Sequence, residues 1–264
     1  MRLRKKVAFV AIKRGWAPGA IDRRADPLYG PRQMTKVELQ LDPVQTGATR
    51  DRILDVAERL FAESGVAGTS VRAITDAAQV NVAAVNYHFR TKEGLIRAVI
   101  ERRLTGLEEA RFAAFDALEA RAQREGRGPS VIELVEALIA PVFAQALSDE
   151  PGWPNFIRFI SRMAWEPGVE ALAPPESSLR LFQRFDAALK QALPHLAQDD
   201  GQRIWRLAFM RGATQHTLLM ITSLRFKRLP KEVPFAAAVA ATDVDAIKRD
   251  VIAFVAAGLA APRR

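Results

Sequence analysis

Apolar side chains recur at steps of three and four along most of the chain, and no stretch sustains an alternation of period two. That pattern predicts an all-α protein with essentially no sheet. Ile53, Leu54, Ala57, Leu60 and Phe61 form one apolar face of a helix beginning near Thr49, and Gly65 stops it. Thr69 or Ser70 caps a short second helix whose inward side is Val71, Ile74 and Ala78. After a brief link, Asn81 opens a third helix with Val82, Val85 and Phe89 pointing inward. Thr91 caps a fourth, where Leu95, Ile96, Val99 and Ile100 continue the stripe.

The same step runs on past Leu104 through Leu107, Arg111, Phe115 and Leu118 to about Arg124, where "EGRGPS" breaks it. Ser130 and Glu133 have the spacing of a capping box for a helix carrying Leu134, Val135, Leu138, Ile139, Val142 and Phe143. Pro141 inside it predicts a kink or a break, because the ring removes an N–H and crowds the preceding turn. Pro154 opens a further helix through Phe156, Ile157, Phe159, Ile160 and Met163, closed by Pro167-Gly168. Ser177 or Ser178 starts another, with Phe182, Phe185, Leu189 and Leu193 on one side and Pro194 as its stop. Asp199 and Gln202 suit the start of a long helix running to Arg225, followed by the loop "FKRLPKEVP". Thr242 or Asp243 then begins a last helix with Val244, Ile247, Val251, Phe254 and Gly258 in step, flanked by Ala253, Ala256 and Ala257. A terminal helix this apolar must be covered by something.

Composition narrows the class. A length of 264 residues suggests two domains, and a hydrophobic fraction of 49% is ample for packed cores. The absence of Cys removes disulfides, thiolate metal sites and Cys nucleophiles, and fits a reducing cytoplasm. The net charge of +9 points to an anionic partner, of which double-stranded DNA is the plainest. That charge is uneven. Residues 1–48 hold ten Lys/Arg and four Asp/Glu, so they carry +6, together with several Gly and Pro and no periodicity. This segment reads as a flexible basic arm that grips the DNA backbone or minor groove, or else as a passive tail ahead of a true start at Met34. Val7 to Ile12 after "RLRKK" is too short for a signal peptide. Leu207 to Leu224 contains Arg211, Gln215 and His216, groups that membrane spans rarely carry, so no membrane segment is expected. His88, His195 and His216 are the only histidines, and no metalloprotease, phosphate-loop, nucleophile-elbow or dinucleotide motif accompanies them. No catalytic residues, metal ligands or cofactor are expected.

Two short helices joined by a tight turn behind a longer one form the pattern of a helix-turn-helix, whose second short helix lies in the DNA major groove. Thr69, Ser70 and Arg72 then fall near the phosphates, where hydroxyls, exposed N–H groups and a positive helix end suit an anion. Asn81 caps the reading helix, and Val82 and Ala83 occupy its first turn. Asn86 and Tyr87 present hydrogen-bonding groups outward, and an Asn amide can pair with an adenine edge. His88 either contacts DNA or packs the fourth helix, and Lys92 fits a phosphate contact.

The wording of residues 49–104, above all "YHF", two residues, then "KEGL", resembles the DNA-binding domain of the TetR family of bacterial transcriptional regulators. Two positions depart from its usual pattern. Gln79 stands where the family often has Gly, so the turn must hold a side chain at what is expected to be positive φ. Asn86 stands where many members have a Tyr. The run "VNYHF" looks most like the fatty-acid-responsive subgroup. The resemblance implies an N-terminal DNA-binding domain over 49–104 and a helical ligand-binding and dimerisation domain over 105–264. It also implies a homodimer through the last two helices, and a small apolar or amphipathic effector, acyl by first expectation. Phe143, Phe156, Phe159, Ile160, Met163, Trp165, Phe182, Phe185 and Met220 are available to line such a pocket. Arg158, Arg162, Arg211 and His216 are the candidate partners for an acidic head group. A dimer would read two half-sites of a palindrome and repress until the effector shifts its geometry. The alternative is a sequence-independent architectural DNA-binding protein.

Overall fold

The computed structural model of the chain describes residues 43–163, 166, 174–225, 230, 232, 237 and 243–262. Its regular elements among the described residues are helices: α1 (Pro43–Ser64), α2 (Val71–Ala78), α3 (Val82–Phe89), α4 (Lys92–Arg124), α5 (Val131–Leu147), α6 (Trp153–Met163), α7 (Glu176–Ala192), the short α8 (Pro194–Ala197), α9 (Asp200–Arg225) and α10 (Val244–Ala260). The basic arm before residue 43, Trp165, Pro167-Gly168 and most of the "FKRLPKEVP" loop lie outside the described residues. Helix α1 begins six residues before the expected Thr49, at Pro43, whose fixed φ suits a first helical turn.

The first three helices close around Ile53, Leu54, Ala57 and Phe61 of α1, Ile74 and Ala78 of α2, and Val85 and Phe89 of α3, all buried. Gly65, at φ +76, ends α1 as expected. Ser70, not Thr69, caps α2: its hydroxyl accepts from the Ala73 N–H at 3.0 Å. Val82 departs from expectation. It is 43% exposed although its steps of three and seven to Val85 and Phe89 put it on their side of α3, because it sits in the first turn of the helix, where that side is not covered.

Helix α4 is continuous for 33 residues, as the unbroken step past Leu104 to Arg124 implies. Its first turns bury Leu95, Ile96 and Val99 with α1 and α3, and its later turns bury Leu107, Phe115 and Leu118 with α5 and α7. Helix α5 continues past Pro141 without a break, and Leu134, Val135, Ile139, Val142 and Phe143 on either side of it are buried. At its start the Ser130 N–H and hydroxyl donate to Glu133 at 2.8 and 2.7 Å. The Arg127 hydrogen bond, followed by those from Ser130, holds the Glu133 carboxyl well below the usual carboxylate range. Helix α7 starts at Glu176, ahead of the expected Ser177 or Ser178, because Ser178 spends its hydroxyl on Glu108 of α4 instead of capping.

Helix α6 is held to the N-terminal helices at both ends. At its start, buried Glu58 of α1 accepts from Arg103 of α4 at 2.8 and 3.0 Å and from Arg102 at 2.9 Å. Arg103 also donates to Glu150 and to the Pro151 carbonyl, and its guanidinium lies 5.7 Å from the Trp153 ring. Burial opposes the charge on Arg103, but the hydrogen bonds and charges of Glu58 and Glu150 outweigh it and raise its pKa. Beyond the far end of α6, Glu166 accepts from the Val66 and Ala67 N–H groups at 2.6 and 3.3 Å, and Arg162 donates to the Glu63 carbonyl at 3.2 Å. Between these ends Phe159 stacks on Phe61, with centroids 5.4 Å apart.

Candidate nucleic-acid interface

The α2–α3 turn is built by two residues. Gln79 adopts φ 53 and ψ 47, the left-handed conformation expected for it, and its N–H donates to Asp76 while the Val80 N–H donates to Thr75 at 3.0 Å. Asn81 then caps α3 by accepting from the Ala83 N–H at 2.9 Å. With Val85 and Phe89 anchored in the core, Val82, Ala83, Asn86 and Tyr87 of α3 and Arg90 just past its end are exposed. Tyr87 is 68% exposed. This is the geometry of a helix-turn-helix: α2 and its turn hold α3 with one face free.

The other expected DNA contacts are placed less uniformly. Ser70 and Arg72 are exposed at the start of α2, and Arg72 stands 3.9 Å from Asp76 in a solvated pair. Thr69 is buried, and its hydroxyl donates to the Leu60 and Gly65 carbonyls at 3.2 and 2.7 Å, so it shapes the α1–α2 turn from beneath. Lys92 is half-buried and donates to the Val66 carbonyl at 2.5 Å, joining the start of α4 to that same turn. His88 is half-buried between Tyr87 and Phe89, with centroids 5.1 and 5.8 Å away. Burial first, then the charge of Arg50, lowers its pKa. The Arg50 guanidinium itself lies 5.6 Å from the Phe89 ring.

Arg50 and Arg90 are cations beside α3 that sequence reasoning passed over. Arg90 directly follows the "YHF" run, and that adjacency was the available signal. Its backbone, at φ 65 and ψ −50, follows the last residue of α3, and its N–H donates to the Asn86 carbonyl at 3.1 Å. The Gly of "KEGL" also has a structural cause. A Cβ on Gly94 would collide with the Phe89 carbonyl oxygen at the α3–α4 corner.

The structure does not gather the expected ligand residues into one pocket. Phe156 and Phe159 are buried core side chains, as are Phe143 and Phe185, and Met163 is half-buried. Arg162 faces the α1–α2 turn. Phe182 is 50% exposed on α7, and Arg211 and His216 are exposed on α9. His216 shares a stripe of α9 with Trp205, Phe209 and Gly212, which places it on an outer face. A cleft of about 520 Å³ lies instead between α1, α4 and the α5–α6 turn, with charged walls that include Asp55, Glu58, Arg102 and Glu150. Among the described residues no cluster of His, Asp or Glu is placed to hold a metal ion, and no helix is long and apolar enough to cross a membrane.

A helix-turn-helix carried on a long helix, joined to a second all-helical body, defines a DNA-binding regulator. Comparison with known proteins names its family. Residues 53–99 match the model of bacterial regulatory proteins of the tetR family, and residues 136–258 match the tetracyclin repressor-like C-terminal domain. The chain belongs to the TetR family of transcriptional regulators. It is 33% identical over 78 residues to "Probable HTH-type transcriptional regulator YttP" of Bacillus subtilis, covering 30% of this chain and 38% of that protein. It is 26% identical over 149 residues to the HTH-type transcriptional regulator BetI of Burkholderia thailandensis, covering 55% of this chain and 69% of BetI. The match to UidR of Escherichia coli is 39% over 62 residues, covering 23% of this chain and 32% of UidR. The chain thus spans about a third of the length of YttP and of UidR. The matched families are regulators rather than enzymes.

Proposed function

We propose that the chain is a ligand-responsive repressor that binds a palindromic operator as a homodimer in the cytoplasm and is released by a small apolar or amphipathic effector. The observation that carries this reading is the exposed stripe of α3. Asn86 and Tyr87 stand free for base edges and phosphates, while Val85 and Phe89 lock the helix from behind. Ser70, Arg72, Arg50 and Arg90 flank it with hydroxyl and cationic groups for the backbone. Dimerisation is supported by Ile204, Trp205 and Phe209 of α9 and Phe254 of α10, which are 61–71% exposed. Two copies of such an apolar face, related by a two-fold axis, would bury it and set the recognition helices about 34 Å apart for a simple dimer.

Nuclease footprinting on the DNA flanking the protein's own gene tests the reading. The expected result is a protected palindrome, weakened by salt and lost from an Asn86→Ala variant at a cost of about 1–3 kcal/mol. Added acyl compounds are expected to release it. No protection at low salt overturns the reading, and uniform coverage without a preferred site would make the protein architectural.

A further inference from the structure

Glu108 is an unusual residue for the middle of α4. It is 3% exposed, and one carboxylate oxygen, Oε1, accepts the Ser178 hydroxyl from the first turn of α7. The other, Oε2, is fully buried and has no hydrogen-bond partner among the described residues. A buried carboxylate oxygen without a donor is costly, so such atoms in native proteins generally belong to a site that something completes. One turn along α4, Arg111 donates through Nε to the Leu138 carbonyl of α5 at 2.9 Å. Arg111 is half-buried, and burial pulls its pKa down to about 10 against the charge of Glu108. The cluster therefore joins α4, α5 and α7, and Leu107 and Leu181 beside it on α4 and α7 are buried and apolar.

We propose that Glu108 anchors the effector, and that the effector presents a hydrogen-bond donor, a hydroxyl or an ammonium, on an apolar body. The proposal rests on reading the C-terminal helices as the effector domain. The orphan Oε2 of a carboxylate accepts, so a donor would complete it. A carboxylate head would meet a second anion there. The head group expected from the site is therefore the opposite of the acidic one that a fatty-acid reading of the sequence implies.

The test uses the purified full chain and three probes with the same straight ten-carbon body: 1-decanol, decylammonium and decanoate, below their micelle concentrations, measured by calorimetry. The expected result is that decanol or decylammonium binds at least about tenfold more tightly than decanoate. Glu108→Gln, whose amide puts a donor where Oε2 lay, is expected to erase that preference. Ser178→Ala, which keeps the carboxylate and removes the hydroxyl on Oε1, is expected to retain it, and serves if the Gln variant fails to fold. Binding of no probe, equal or tighter binding of decanoate, loss of the preference in Ser178→Ala, or its survival in Glu108→Gln overturns the proposal. A footprint run in parallel separates the two readings. A protected operator with no donor preference removes the anchor and leaves the regulator, and no protected operator removes the regulator itself.

Discussion

Gln79 and Arg90, the non-glycine residues at positive φ among those described, sit just beyond the C-terminal ends of α2 and α3. A left-handed residue other than Gly costs about 1–2 kcal/mol, which is why Gly is usual in such a turn. Here the cost at Gln79 is offset by the two N–H bonds that close the turn on Asp76 and Thr75. His88 has a different sensitivity. Its folded pKa lies below its ordinary value, so the unfolded chain binds its proton more readily than the folded one. The stability it contributes is fully present above about pH 6.5 and is lost as pH falls through that value toward the folded pKa. Thermal melts at pH 7.5 and 5.5 are therefore expected to show a fall in the wild type that is smaller in His88→Gln. An equal fall in both would assign the effect to other groups.

At the scale of elements, α6 is the piece that ties the DNA-binding helices to the remainder. Its start is fixed through Arg103 and Glu58, and the chain just past its end through Glu166 on the α1–α2 turn. Arg103→Ala leaves the Glu58 carboxylate, 2% exposed, with only Arg102 as partner. Removing one member of a buried pair typically costs about 3–5 kcal/mol, so the denaturation midpoint of Arg103→Ala is expected to drop sharply. The double variant Arg103→Met, Glu58→Leu is expected to recover most of that loss, because the buried carboxylate goes with its partner, while Arg102 keeps Asp55 and Glu150 is exposed. If it were as unstable as the single variant, packing rather than charge would dominate this junction.

For the whole molecule, the apolar outer faces of α9 and α10 are the feature a lone chain leaves unexplained. Phe254 is 71% exposed and Trp205 65%, on helices whose other faces bury Leu207, Leu218, Val251, Val255 and Leu259. Aromatic side chains at the centre of an interface commonly carry much of its energy. A Trp205→Glu, Phe254→Glu variant is expected to sediment as a monomer in analytical ultracentrifugation and to lose the palindrome, since one α3 alone has too few base contacts. Its circular dichroism is expected to stay helical. A variant that remained dimeric would move the interface elsewhere.

Helix identity, the caps at Asn81, Thr91 and Asp243, the box at Ser130 and Glu133, and the strained turn at Gln79 were all legible in the linear chain. Each depends on residues within a few positions of one another, where spacing alone decides which groups meet. The helix-turn-helix was legible for the same reason. What became of Thr69, Lys92, Ser178 and Glu108 was not. Their hydrogen bonds run to Leu60, Val66 or each other across separate elements, and whether a polar side chain faces solvent or a buried partner depends on what packs against it. The same holds for Phe156, Phe159, Phe182 and His216. Helical spacing marks them as aromatic or polar on a face, and only the packing of the other helices decides whether that face becomes core or outer surface.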